Sequence, residues 1–398
     1  MKLWNRDFTL MFFSNYLVGT SFVSIQAILP LYVNEIGGNN SIAGTMILSM
    51  TLIMMFSRPI LGSILDRVGR KPILYIGSIA YVVNTLAYFA AVNVEILFAL
   101  RLMQGVTSAL YTSAAATLIA DVVPKDRMVE GLGYYGISGT LCFVTGPILG
   151  KSLYENYGFN SLLILAGAIV IIGCLLVAFM TRADKSIKSA AKPIEKDERR
   201  GILKLIEFSV IIPSLISCFI FMGNSSINNF MTAAGLSRGI ESISVFFVFN
   251  GIALIAARVA TSFLTGNVGE NRTAIGGILI FFAGIVIVAF AKSTLAIVLS
   301  GLLCGFGNGI SSPILNSFIF RISPENRKGA ANATYSLFND IGNGVGGAAH
   351  GVVSQNFGYT AMFLSASAML LVAFSIYILI FIPKLRRYEK SQSSSDSL

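Results

Sequence analysis

The chain has 398 residues, of which 55% are hydrophobic and only 12% are charged. A soluble domain of this length could not bury so much apolar surface in one core, so the composition excludes a soluble protein and predicts one embedded in lipid. The net charge of +10 would indicate nucleic-acid binding only if a soluble basic domain carried it, and no such domain is predicted.

A helix needs about 20 apolar residues to cross the hydrocarbon layer of a membrane. The sequence contains twelve stretches of this kind, which predict an all-α membrane protein with twelve transmembrane helices. These stretches lie near 8–34, 42–65, 72–93, 95–121, 129–154, 160–181, 207–233, 242–266, 273–291, 294–320, 329–354 and 359–382.

One long charged stretch separates the first six spans from the last six. We therefore expect an N-terminal six-helix bundle over 1–181, a cytoplasmic linker over 182–204, a C-terminal six-helix bundle over 205–384 and a disordered cytoplasmic tail over 385–398. Most of the 29 Lys and Arg residues fall in the tails and in the loops of one side, so the positive-inside rule places both termini in the cytoplasm. The first span is too long for a cleavable signal peptide, so we expect a multi-pass protein of the plasma membrane.

The two halves of the chain repeat each other at an offset of 200 residues. Arg58 matches Arg258, and the segment ENYGF at 155–159 matches QNFGY at 355–359. Many matches in one register indicate an internal duplication. Two membrane-embedded halves related in this way are the layout of a secondary transporter that rocks around a central site.

A polar turn after the second span carries the strongest motif. Gly62 lets neighbouring helices approach closely, Gly69 permits a tight turn, and Asp66 can face a helix N-terminus, where its charge is favourable by about 0.3–1 kcal/mol. Together with Asp121, a predicted partner on the same membrane face, the turn forms a predicted conformational latch; the alternative is a positive loop that only sets topology. The latch residues are Gly62, Asp66, Arg67, Gly69, Arg70, Lys71 and Asp121.

The pattern G-x-x-x-D-R-x-G-R-K over 62–71 resembles the signature loop of the major facilitator superfamily. A second segment, Arg101-x-x-Gln104-Gly105 in the fourth span, resembles another signature of that superfamily. The resemblance covers nearly the whole chain and implies two pseudo-symmetric six-helix bundles.

A third segment, Gly146-Pro147-x-x-Gly150 in the fifth span, is similar to the motif of proton-driven antiporters in that superfamily. Cys142 and Lys151 stand where glycines are common in that motif. The resemblance implies a bacterial efflux transporter similar to the drug:proton antiporters.

Three ionisable residues inside the predicted spans suit proton coupling. Asp340 is the only acid near the middle of a span, and burial favours the neutral form of a carboxyl group that carries a proton. Arg101 lies inside the fourth span, where an ionisable group costs at least about 2.5 kcal/mol, so we expect it to face the bundle interior and to bias a proton site or an anionic group. His350, the sole histidine, is a candidate proton or substrate group, although a lone histidine is more often structural.

Uncharged polar side chains recur in several spans and predict a polar substrate cavity. These residues are Asn15, Gln26, Asn224, Asn228, Asn250, Asn308, Asn316, Asn339 and Asn343.

The four cysteines fall inside predicted spans without a C-x-x-C pair, so the sequence predicts no disulfide, no metal site and no cofactor. One histidine and no nucleophile and base pair argue against a membrane enzyme. We expect a monomer that exports a small amphipathic molecule by proton-coupled alternating access, with that substrate, protons and membrane lipid as its partners. The alternatives are a proton-coupled importer or exchanger of a sugar, organic anion or other metabolite and, from another class, a membrane sensor that transports nothing.

Overall fold

The structure, a computed structural model, describes residues 4–68, 70–123, 128–180, 206–324 and 327–385. The side chains that fall outside this description are those at 59–60, 62–68, 70, 120–121, 128–130, 132–133, 241, 262 and 328–329. The predicted linker, 182–204, and the predicted tail beyond Leu385 also lie outside the described residues.

The regular structure of the described residues is helical throughout. The helices are α1 Arg6–Glu35, α2 Asn40–Val68, α3 Arg70–Ala87, α4 Val94–Val122, α5 Met128–Ala178, α6 Ile211–Ser237, α7 Ser244–Val268, α8 Glu270–Phe290, α9 Thr294–Ile322 and α10 Lys328–Ile376, with a π-helical turn over Tyr377–Phe381. Within the described ranges, ten helical stretches are long and apolar enough to cross a membrane. The predicted all-α membrane fold is therefore confirmed.

Two of these helices each contain one break. The backbone of α5 leaves helical geometry at Gly158, with φ 79° and ψ 176°, and that of α10 does so at Gly358, with φ 78° and ψ 171°. Without a break, the 51 residues of α5 would extend about 75 Å, more than twice the hydrocarbon thickness of about 30 Å. Each break divides its helix into two segments long enough to span, so the ten stretches contain the twelve predicted spans.

The two segments of α5 lie side by side along α1. Ser14 Oγ donates to Gly173 O at 2.9 Å in the second segment, and Cys142 Sγ of the first segment lies 3.3 Å from Tyr16 O. Near the other end of α1, Tyr32 stacks on Phe159 at 3.7 Å between ring centroids. The chain therefore reverses direction at Gly158, where a positive φ favours glycine.

The same arrangement recurs between α6 and α10. A Cβ added to Gly342 would lie 2.3 Å from Cys218 O, and one added to Gly346 would lie 2.9 Å from Met222 Cα. In the second segment of α10, Leu370 packs on Gly223 of α6, at 3.2 Å from an added Cβ. Each half of the chain thus builds one helix against both segments of a broken helix, as the duplication predicts.

The capping residues also follow the repeat. Asn93 precedes α4 and accepts a hydrogen bond from the backbone of Ile96 at 2.9 Å, while Ser293 precedes α9 and accepts one from Ala296 at 3.3 Å. Such caps satisfy a backbone N–H that the first helical turn leaves without a partner.

An ion pair fixes the chain just before α6. Arg327 donates from Nε to Glu207 Oε2 and from Nη2 to Ile206 O at 3.0 Å. The backbone N–H of Glu207 donates to Thr334 Oγ1 at 2.9 Å. Glu207 is buried, and at the matching position of the first half Asp7 is also buried.

The chain divides into two compact units. The first unit comprises Met1–Glu195 and Asn228–Gly251, and the second comprises Lys196–Ile227 and Ile252–Leu398. The bundle boundaries expected from the sequence, 1–181 and 205–384, stay a prediction.

Candidate functional site

Arg101 is the largest fully buried side chain among the described residues, with 0% of its surface exposed. Its Nη1 donates to Gln104 Oε1 at 2.7 Å and to Gln26 Oε1 at 3.2 Å. The same nitrogen lies 3.8 Å from Met50 Sδ. All of these partners are neutral, so this part of the protein holds a buried cation among uncharged groups. The expectation that Arg101 faces inward agrees with this position, and its part in coupling stays a prediction.

The partners of Arg101 extend the hydrogen-bonded network. Tyr88 Oη donates to Gln104 Oε1 at 2.6 Å, and its ring centroid lies 5.9 Å from the guanidinium carbon of Arg101. Gln26 Nε2 donates to Asn229 Oδ1 at 2.5 Å. We call these five residues, all in the first unit, the Arg101 cluster. A cation held by two amides and an aromatic face is fixed in place without being neutralised.

Asp340 is half-buried on the first segment of α10, in the second unit. Its neighbour Asn339 accepts a hydrogen bond from Ser217 Oγ of α6 at 2.6 Å, and the backbone carbonyl of Asn343 accepts one from Ser225 Oγ at 2.9 Å. This stretch of α10 therefore presents polar groups to α6. The assignment of Asp340 as the proton carrier stays a prediction.

His350 is buried between α6 and the second segment of α10. Its Nε2 lies 2.9 Å from Met222 O and its Nδ1 lies 3.4 Å from Ser365 Oγ. His350 is ten residues beyond Asp340 on one helical segment, which is a separation of about 15 Å. The structure thus gives both ring nitrogens local partners and does not pair the two residues that we predicted for proton coupling on α10.

The glycines of the antiporter-type motif are close-packing positions. A Cβ added to Gly150 would lie 2.6 Å from Ser24 O, and one added to Gly146 would lie 2.8 Å from Val23 Cβ. Pro147 lies between them within α5. The motif brings the backbones of α1 and α5 together, which is a packing role that small residues fill in membrane helices.

The predicted cavity residues divide between the units. Asn15 lies in the first unit, where its Nδ2 donates to Ser138 Oγ at 2.7 Å and its Oδ1 accepts from Tyr135 Oη at 3.0 Å. Half-buried members of the predicted set are Asn228 and Asn250 in the first unit and Asn224, Asn308, Asn316, Asn339 and Asn343 in the second. Their role in lining a cavity stays a prediction.

The predicted latch falls largely outside the described side chains. The backbones of Gly62, Asp66 and Arg67 lie in α2, those of Arg70 and Lys71 begin α3, and that of Asp121 lies in the last turn of α4. Lys71 is half-buried, and Gly69 lies outside the described residues. The latch contacts stay a prediction.

Sequence reasoning missed several buried polar residues near Arg101. These are Tyr81, Asn84, Tyr88 and Ser108. The first three share one helical face at spacings of three and four residues, as do Arg101, Gln104 and Ser108. Polar residues that recur at helical spacing on two consecutive spans were the sequence signal that could have predicted this cluster.

Comparisons with known proteins agree with this architecture. The sequence model of the Major Facilitator Superfamily matches residues 11–269 and 213–397. A "Multi-drug resistance efflux pump PmrA homolog" of Lactococcus lactis is 26% identical over 384 residues, which are 93% of this chain and 93% of that protein. A "Multidrug resistance protein MdtG" of Escherichia fergusonii is 23% identical over 92% of both chains.

Among solved structures, a POT family transporter in complex with 5-aminolevulinic acid is similar, with a TM-score of 0.77 and 16% identity over 95% of this chain and 96% of that one. This likeness concerns the fold alone. Because the family model accounts for nearly the whole sequence and the helices have the predicted repeat, this multi-pass membrane transporter belongs to the Major Facilitator Superfamily.

Proposed function

We propose that the protein exports a small amphipathic molecule across the plasma membrane in exchange for protons, as a monomer with both termini in the cytoplasm. The relative named as an efflux pump and the relative named as a multidrug resistance protein support this proposal, since both align along nearly their whole length. Transport would proceed by alternating access, with the two halves rocking around a central substrate site.

The single observation that carries the proposal is the buried charge of Arg101. Ionisable groups inside spans are costly and usually mark pathways for ions, protons or substrates. At the matching position of the second half the residue is Gly301, so the duplicated fold does not itself require a cation there. A charge that the fold does not need, yet keeps fully buried, supports a role in transport.

Asp340 is the proposed proton carrier. At the matching position of the first half the residue is Thr140, so packing does not demand an acid. A protonated carboxyl group is neutral. Burying it in a low-dielectric environment during the transport cycle therefore costs less free energy than burying a carboxylate. Deprotonation on the cytoplasmic side would restore a negative charge that attracts a cationic or polar substrate for export.

The test uses purified protein in liposomes with an imposed pH gradient and a pH-sensitive dye inside. Lipophilic cations, sugars and organic anions are added in turn, and we expect the lipophilic cations to start proton movement. Replacing Asp340 by Asn should abolish that movement, whereas Asp340→Glu keeps the carboxyl group and should retain part of it. Unchanged pH dependence in Asp340→Asn would remove this residue from the mechanism.

The direction of coupling is read in the same vesicles. Proton release that accompanies accumulation of the substrate supports antiport. Movement of substrate and protons in the same direction would instead establish a proton-coupled importer. A sugar or an organic anion is the substrate class that tests this most directly. Binding without flux for every class would identify a sensor and contradict transport.

A further inference from the structure

A polar seam runs between α3 and α4 in the first unit. On α3 and the turn that follows it, the seam contains Tyr81, Asn84 and Tyr88; on α4 it contains Arg101, Gln104 and Ser108. The two helices are antiparallel, because Gly77 packs on Leu110 whereas Tyr88 bonds to Gln104. Every member of the seam is at least nine-tenths buried.

The seam contains several polar atoms with no hydrogen-bond partner within the described residues. They are both amide atoms of Asn84 and Arg101 Nε and Nη2. Tyr81 Oη and Ser108 Oγ form no hydrogen bond of ordinary geometry, but Tyr81 lies close enough to Gln104, Ser108 and Arg101 to interact with them, so these groups are neighbours across one interface. Buried polar groups are normally satisfied, and a group of unsatisfied ones needs an explanation.

The second half of the chain shows that the fold does not require this seam. At the matching positions α8 and α9 carry Phe281, Gly284, Val288, Gly301, Cys304 and Asn308, so one of the six is a polar amide. That interface is tight: a Cβ added to Gly284 would lie 2.7 Å from Cys304 Sγ. The same helix pair therefore packs well with neither the charge nor most of the polar groups of the first half, and the seam has another role.

The unsatisfied groups are rich in donors and carry a positive charge. Arginine offers donors only, and no described carboxylate pairs with Arg101, whose hydrogen bonds go to Gln26, Gln104 and Met50. A buried cation is costly unless an opposite charge accompanies it. Water molecules could accept hydrogen bonds from these donors but could not neutralise the charge of the guanidinium group.

We propose that the seam binds one small monovalent anion, either a halide or a carboxylate group. Arg101 supplies the positive charge through Nε and Nη2, and Tyr81, Asn84 and Ser108 supply hydrogen bonds from Oη, Nδ2 and Oγ. The anion is either a free ion or the carboxylate of a solute that the protein carries. This site does not depend on proton coupling or on the direction of transport.

The first experiment measures the thermal unfolding temperature of the purified full-length protein in detergent. Sodium chloride replaces sodium gluconate at constant ionic strength. Gluconate serves as the reference because its polyhydroxylated anion is bulky and strongly hydrated, unlike a halide or an amphipathic carboxylate. We expect chloride to raise the unfolding temperature with saturation, because a ligand that binds only the folded state stabilises it. Broadening of the ³⁵Cl resonance in the same samples measures chloride binding directly.

The variants change little of the packing. Tyr81→Phe removes one unsatisfied hydroxyl, so in gluconate its unfolding temperature should equal or exceed that of the wild type, while its affinity for chloride should fall by about tenfold, as for a lost hydrogen bond to a charged group. Asn84→Leu should show the same loss. Ser78→Ala is the control, because that buried hydroxyl on α3 already donates to Leu74 O at 2.7 Å, and its response to chloride should match the wild type.

Competition experiments distinguish a free small anion from the carboxylate of a transported solute. Sodium acetate that stabilises the protein and narrows the ³⁵Cl resonance supports a free small anion, whereas competition by amphipathic carboxylates alone supports the carboxylate of a transported solute. Equal unfolding temperatures in chloride, acetate and gluconate, with no ³⁵Cl broadening, would overturn the proposal and leave water in the seam. Full chloride affinity in both Tyr81→Phe and Asn84→Leu would overturn it as well.

Discussion

At the scale of single residues, the ion pair of Glu207 and Arg327 is the clearest electrostatic contribution to stability. Burial opposes ionisation of Glu207, but hydrogen bonds from Arg327 and Ser209 outweigh it, and the pKa of the carboxyl lies below its ordinary value. A lowered pKa means that the pair stabilises the fold above the unfolded-state pKa of about 4.3. This stabilisation is lost as the pH falls through the folded-state pKa.

Glu207→Gln should therefore lower the free energy of unfolding by about 3 kcal/mol at neutral pH, because it leaves the half-buried Arg327 without its counter-charge. The deficit should be constant from pH 8 to pH 5 and shrink only below about pH 4. Chemical unfolding in detergent across this pH range measures it.

The matched control is Glu270→Gln. Glu270 Oε2 accepts from Arg321 Nη1 at 2.8 Å, but the side chains are 38% and 45% exposed. An exposed pair contributes about 0–1 kcal/mol, so the loss should be small. Equal losses in the two variants would contradict the argument from burial.

At the scale of helices, the contact of α1 with α5 depends on glycine at chosen positions. Gly150 faces the carbonyl of Ser24, whereas an added Cβ at Gly139, on the same helix, meets no atom within 4 Å. Gly150→Ala should destabilise by about 1–3 kcal/mol, as overpacking does. Gly139→Ala should be neutral or stabilising by up to about 1 kcal/mol, because alanine is the better helix former.

The free energies of unfolding of the two alanine variants are compared in one detergent. Changes in unfolding free energy of opposite sign in the two variants would show that the motif acts through helix contact. A neutral effect at Gly150 would show that α1 and α5 can separate without loss, and would contradict the packing role assigned to the motif.

The sequence predicted these helices better than it predicted the site. The predicted ends at 154 and 160 bracket Gly158, because a long apolar stretch must reverse once it exceeds the membrane thickness. Within the site, Gln26 donates a hydrogen bond to Asn229 and not to its neighbour Asn228. Adjacent helical residues point about 100° apart, so composition alone cannot choose between them.

Arg101 illustrates which part of a site follows from sequence. The cost of a charge in lipid predicted that it faces inward. Its neighbours Tyr81, Asn84 and Ser108 carry no charge, and isolated residues of these types are common in membrane helices. Only the pairing of α3 with α4 brings them together, and pairing depends on packing that a single sequence does not state.

At the scale of the whole molecule, we expect the predicted latch to set the balance between inward-open and outward-open states. If Asp66 faces a helix N-terminus as predicted, Asp66→Ala should remove a charge worth about 0.3–1 kcal/mol there and shift a two-state population by about two- to fivefold. Cysteine cross-linking across the cytoplasmic ends of the helices measures that shift.

The control for the latch comes from the repeat. Gly266 stands at the position that matches Asp66, and an added Cβ there meets no atom within 4 Å, so Gly266→Ala should leave the cross-linking pattern as it is. A pattern unaltered by Asp66→Ala would show that the turn only sets topology.

The burial of Arg101 also bears on how the chain is made. An arginine in a membrane span raises the free energy of insertion by up to about 3 kcal/mol, and α4 is the least apolar of the candidate spans. Gln26 and Tyr88, which surround Arg101 in the finished protein, both precede it in the chain. During synthesis Gln26 and Tyr88 leave the ribosome before α4 does, so we expect the translocon to hold α4 until it enters lipid together with α1 and α3.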